Sequence, residues 1–277
     1  MAQGNENAMT QTIDVRGKAV LLTGASRGLG RAMAIGLARA GAKLAITARP
    51  GSEAKLADTV AGIGSAEADV LTLTGDIAQA ADCARFVEAT LKRFGRIDAL
   101  INNAGLGMDQ LGAHFVRRWK FDEIPDDVWK RIVDTNINGT WLMARAAVKP
   151  MLAQRSGRII NLSTSFPTMI RSGFTPYGPT KAAIEAMTAA WADDYRDTGI
   201  TVNALLPGWA SDTDMIPVED FPEREKLVPP SVMVQPALWL VSDASKDATG
   251  MRVVAKDWDS TLPVADAARA ACARAAW

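Results

Sequence analysis

Tyr177 and Lys181 lie four residues apart in Tyr177-Gly178-Pro179-Thr180-Lys181, at the head of a long helical pattern. On a helix that spacing places a phenol and an ammonium on one face, one turn apart. A free phenol, with a pKa of about 10, is a poor base near neutrality. An ammonium about 4 Å away, at an effective dielectric near 20, favours the phenolate by roughly 4 kcal/mol, on the order of three pKa units before desolvation opposes it. The pair therefore predicts proton transfer near pH 7. Alone, the same spacing also fits a half-buried tyrosine beside a solvated lysine.

The elements that must position this pair are legible upstream. Lys18 to Leu22 reads as a short strand running into Thr23-Gly24-Ala25-Ser26-Arg27-Gly28-Leu29-Gly30 and then a helix through Ala40. Glycines permit positive φ and close backbone approach, and the open N–H groups at a helix start attract phosphate, so the turn predicts a pyrophosphate cradle. A second strand, Lys43 to Thr47, ends at Ala48-Arg49, where an adenosine ribose lies in a doubly wound sheet. No acid stands there to bind ribose hydroxyls. Arg27 and Arg49 instead suit a 2′-phosphate, unless both are simply solvated.

A third strand, Val70 to Thr74, leads to Gly75-Asp76-Ile77. Asp76 serves as an adenine contact, a helix N-cap, or both. Asp82 to Phe94 reads as helix, Ile97 to Ile101 as the fourth strand, and Asn102-Asn103-Ala104-Gly105 as a turn facing the ligand crevice.

Composition bounds the function. The 277 residues are 48% hydrophobic and 22% charged, enough for one large α/β domain. Lysine plus arginine equals aspartate plus glutamate at 31 each, which disfavours nucleic acid or an anionic membrane as partner. Cys83 and Cys272 offer neither a disulfide framework nor a metal cluster, and His114 is the single histidine. No apolar run is long enough to span a bilayer, and Met1 to Gln11 is polar, so the expected location is cytoplasmic.

Taken jointly, Thr23 to Gly30, Asn102 to Gly105, Asn136, and Tyr177 with Lys181 resemble the short-chain dehydrogenase/reductase family over about residues 15 to 255. The resemblance implies a single doubly wound Rossmann-type α/β domain with a mostly parallel seven-stranded sheet flanked by helices. Residues 1–14 are then a flexible leader, 15–258 the catalytic domain and 259–277 a helical tail. It implies Tyr177 as proton donor or acceptor at a carbonyl or alcohol oxygen, and Lys181 as the group that lowers its pKa and holds the nicotinamide ribose. Asn136 matches the family asparagine that kinks a helix and holds a water.

The family's serine, which polarises the substrate oxygen, stands thirteen residues before the tyrosine. Here that count reaches Thr164, flanked by Ser163 and Ser165, so Thr164 is the expected hydroxyl and Ser165 the next choice. Pro207-Gly208 matches the turn behind the nicotinamide, and Thr213 its carboxamide contact. Lys256-Asp257-Trp258 replaces the family's common Asp-Gly-Gly.

The connection 106–124, carrying Met108, His114, Phe115, Arg117, Arg118, Trp119 and Lys120, is expected to be a solvated basic loop or an oligomer contact rather than a source of substrate ligands. Asp126 to Gln154 and Tyr177 to Thr198 are two expected long helices, which the resemblance places against a second subunit in a homodimer or homotetramer. Asp214 to Pro230 reads as a substrate lid or an inert loop.

The functional expectation is hydride transfer between NADP(H), with NAD(H) the alternative, and a small ketone or secondary alcohol. The rivals are an NAD-linked alcohol dehydrogenase of the same fold and a non-enzymatic dinucleotide sensor. Neither nucleic acid, membrane nor metal is expected as a partner.

Overall fold

The computed structural model describes residues 13–64, 68–112 and 118–276. His114, Phe115, Arg117, Trp277 and most of the leader lie outside them.

The chain alternates strand and helix: β1 (Ala19–Leu22), α1 (Gly28–Arg39), β2 (Lys43–Ala48), α2 (Glu53–Ile63), β3 (Val70–Thr74), α3 (Ala80–Phe94) and β4 (Ala99–Asn102). There follow α4 (Asp126–Val133), α5 (Thr140–Gln154), β5 (Gly157–Leu162), the short α6 (Phe166–Met169), α7 (Tyr177–Asp194), β6 (Ile200–Leu206), α8 (Val234–Val241), β7 (Met251–Val254), α9 (Val264–Ala271) and β8 (Cys272–Arg274). The sheet order is β3-β2-β1-β4-β5-β6-β7-β8. Every neighbouring pair is parallel except β7 with β8.

Period-two alternation explains why the sheet is covered on both faces. Val20, Leu22, Leu44, Ile46 and Ile101 enter the core shared with α1 and α8. Leu21, Ala45, Leu100 and Ile159 point the other way, into the core shared with α3 and α5. Strand order reverses between β1 and β4, so the turns after these two strands meet at the crevice where doubly wound sheets bind ligands.

Two expectations are corrected. The sheet has eight strands rather than seven, because the alanine-rich tail is helical only to Ala271. Cys272–Arg274 then pairs antiparallel with β7 and covers its edge. The helix expected over 126–154 is interrupted: Asp134–Gly139 forms a π-helical segment between α4 and α5, centred on a residue of poor helix propensity. Among the described residues, no helix is long and apolar enough to cross a membrane.

Candidate active site

The turn after β1 is shaped by close approach. Gly24 has φ +69°, and a Cβ there would come within 2.7 Å of the Ala104 backbone; one on Gly30 would meet the Gly24 carbonyl at 2.2 Å. Asn103 laces the turns after β1 and β4 together, its amide donating to the Thr23 and Gly24 carbonyls at 2.9 and 2.8 Å. Thr23 Oγ1 accepts from the Asn103 and Ala104 N–H groups. The Arg27 side chain does not cap α1, and Gly28, Leu29 and Gly30 of its first turn line the crevice.

These turns border a cavity of about 310 Å³ that runs from Lys55 and Arg49 at one end to Tyr177 and Lys181 at the other. Along it lie Gly24, Ser26, Arg27, Gly28, Leu29 and Gly30 from the first turn. Asp76, Ile77, Asn103, Ala104, Gly105 and Thr213 complete the predicted set that it brings together. Pro207 and Gly208 stand apart: the Pro207 carbonyl accepts from Lys256 N–H, and Gly208 packs against the Lys256 stem. Asp76 Oδ1 accepts from Ala78 N–H, which is local turn capping, while α3 begins after Gln79.

The two arginines differ. Arg27 reaches Asp214 at 3.4 Å, across the mouth of the crevice. Arg49 is exposed and its guanidinium has no protein partner among the described residues. Ser52 and Lys55, at the start of α2, join Arg49 at this end. Sequence reading passed over both, because only the folded path of α2 brings them beside the end of β2.

At the other end, Tyr177 opens α7 and Lys181 lies one turn on. Lys181 is 5% exposed; its Nζ donates to the Leu162 carbonyl at 2.7 Å and stands 5.8 Å from the Tyr177 ring centroid. Burial pushes the lysine pKa down to about 8. It pushes the Tyr177 phenol up to about 12, against a lowering hydrogen bond from Thr164 and with Asp109 adding to the rise. The expected net lowering of the phenol pKa is therefore corrected: burial outweighs the lysine, whose own charge is buried and directed at Leu162.

The three neighbouring hydroxyls are distinguished by their partners. Thr164 neighbours the Tyr177 phenol and acts to lower its pKa. Ser165 Oγ is engaged with Thr168 Oγ1 at 2.8 Å. Ser163 Oγ is buried without a hydrogen-bond partner in a residue that lines the cavity.

Asn136 is fully buried in the π-helical segment. Its Oδ1 accepts from Leu106 N–H at 2.8 Å, and its Nδ2 donates to the Leu106 carbonyl and to Thr180 Oγ1. Thr180 Oγ1 in turn donates to the Tyr177 carbonyl at 2.7 Å. The segment thus ties the loop after β4 to the first turn of α7. Met108 and Ile124 of that loop form a small apolar cluster with Phe174, against which Leu111, Trp119 and Tyr177 pack, while Arg118 and Lys120 are exposed as expected of a basic loop.

A glycine turn at a helix start, an exposed arginine after β2 and a Tyr–Lys pair on one cavity fit a dinucleotide-binding α/β protein. Comparison with known proteins makes the assignment specific. The family model for the short chain dehydrogenase matches residues 18–220, and the chain belongs to that family of oxidoreductases. A 3-oxoacyl-[acyl-carrier-protein] reductase of Synechocystis is 35% identical over 198 residues, 70% of this chain and 74% of the relative. Oxidoreductase UcpA of Escherichia coli is 33% identical over 265 residues, 89% of this chain and 95% of its own. Levodione reductase superposes with a TM-score of 0.75 at 27% identity, covering 86% of this chain and 95% of that one. A Shigella flexneri chain described as a short chain dehydrogenase, solved with NADP, gives 0.76 at 27% identity, covering 88% and 100%.

Proposed function

We propose that this protein is an NADP(H)-dependent oxidoreductase acting on a small ketone or secondary alcohol, with residues 15–258 as its catalytic domain and 259–277 as a tail. The observation that carries this reading is that one cavity is lined by the exposed Arg49 and also by Tyr177 and Lys181. The cavity residues suit the dinucleotide: the first N–H groups of α1 for the pyrophosphate, and Arg49 with Lys55 for a 2′-phosphate. When bound, the nicotinamide supplies or accepts the hydride.

The chain's own residues do the rest. Tyr177 delivers a proton to the carbonyl oxygen in reduction and takes it from the hydroxyl in oxidation. Thr164 holds that oxygen by a hydrogen bond, and its contact with the phenol keeps the two groups on one reacting atom. Lys181 anchors the end of β5 through Leu162 and places a positive charge near the ring, where it favours the phenolate during proton transfer. Asn136 fixes the loop after β4 against α7. We further assign the protein to the cytoplasm and to a homo-oligomer, on the analogy of the family.

The test is Tyr177→Phe. Cofactor affinity should stay near wild type, while turnover of probe ketones such as ethyl acetoacetate with NADPH falls by about 10² to 10⁴. Retained turnover would remove Tyr177 from the proton path.

A further inference from the structure

The four-residue rhythm of α7 does not stop at Lys181. Glu185 follows on the same face, 2% exposed. Its Oε1 accepts from Arg252 Nε at 3.1 Å, and its Oε2 is buried with no hydrogen-bond partner. Arg252 lies on β7, where its neighbours Met251, Val253 and Val254 are apolar. The same guanidinium donates through Nη2 to the main-chain carbonyl of Thr164 at 2.9 Å.

Glu185 is buried and Arg252 half-buried, and an ion pair so placed is a poor device for stability alone, because desolvation costs offset its attraction and apolar residues serve as well. This one spends a fork of donors on two distant points, 67 and 88 residues away in sequence. Lys181 holds the Leu162 carbonyl. Arg252 holds that of Thr164. Ser163 N–H between them donates to the Leu205 carbonyl at 2.9 Å. The segment that carries Thr164 is thus fixed at three successive residues.

We infer that Arg252, oriented by Glu185, is a positioning residue that aims the Thr164 hydroxyl at Tyr177. The inference rests on the proposed roles of Thr164 and Tyr177, but its test does not need turnover. Lysine at position 252 keeps the charge yet lacks the planar fork that reaches both partners. Replacing the pair together, as Glu185→Leu with Arg252→Met, removes the clamp without leaving a lone buried charge.

The chain has two tyrosines, so a Tyr195→Phe background leaves Tyr177 as the single phenol. Carbon-13 tyrosine NMR of the full-length protein at neutral pH then reads its hydrogen bonding directly. Thr164→Val marks the resonance position without the hydroxyl partner. In Arg252→Lys and in the double variant, the Tyr177 resonance should move most of the way to that mark while thermal melting stays cooperative. A resonance that stays at the wild-type position in a variant that melts cooperatively overturns the inference. So does a Thr164→Val resonance that does not move, since there is then no contact to position. Turnover retained by Tyr177→Phe would sink the proposed function and leave this NMR result standing, so the two failures are separable.

Discussion

Lys181→Met should change how stability depends on pH. In the native protein the lysine is buried and its pKa falls from 10.5 to about 8. The unfolded chain therefore holds one more proton than the native state between these values, and wild-type stability rises with pH through that window. At 1.36 kcal/mol per pKa unit the rise is on the order of 3 kcal/mol. Methionine does not titrate, so the variant lacks this slope. Losing the bond to the Leu162 carbonyl shifts the variant's stability by a constant and does not alter the slope difference. Denaturant melts of both proteins at intervals from neutral pH to about 10.5 give the two curves. The wild type should gain on the variant by about 3 kcal/mol across the window. Tyr177, whose raised pKa destabilises the fold only as pH climbs from about 10 toward 12, contributes equally to both and sets the upper limit of the scan. Parallel curves would show that Lys181 is not desolvated in the native state and would refute the burial account of the pair.

Two further outcomes follow from the geometry. Asn136→Ala removes the partner of the Leu106 N–H and carbonyl and of Thr180, and should cost about 3 kcal/mol in chemical denaturation, with catalysis falling as α7 loses its tie to the loop after β4. In Gly30→Ala the new methyl would stand 2.2 Å from the Gly24 carbonyl, so the turn must open. The expected cost is about 1–3 kcal/mol in stability, and dinucleotide binding measured by calorimetry should weaken far more than in a surface control.

The first four strands and the glycine turn were readable because each rests on local chemistry: apolar runs, positive φ, and a helix start beside a strand end. Thr164 was a candidate by its distance in sequence from Tyr177; of its neighbours, Ser165 Oγ is engaged with Thr168 Oγ1 and Ser163 Oγ is buried without a hydrogen-bond partner. What stayed hidden depends on distant segments meeting. Lys55 joins the Arg49 end of the cavity only through the path of α2, and the partnership of Glu185 with Arg252 exists only because β7 places them together. The sign of the Tyr177 shift was missed because a Coulomb estimate from helix spacing contains no burial, and the lysine is directed at Leu162. The β8 strand was masked by alanines that favour helix; its pairing partner decided the matter.

The most direct measurement is a titration of NADPH and NADH by nicotinamide fluorescence on wild type and Arg49→Ala. Arg49 is exposed and has no protein partner among the described residues, so its substitution should leave the fold and NADH binding unchanged. Loss of a charge-assisted contact of about 1.5–3 kcal/mol should weaken NADPH by roughly 10- to 150-fold. That pattern is the prediction. NADH bound as tightly as NADPH by the wild type, or NADPH affinity unchanged in the variant, would contradict it and make an NAD-linked alcohol dehydrogenase the better reading.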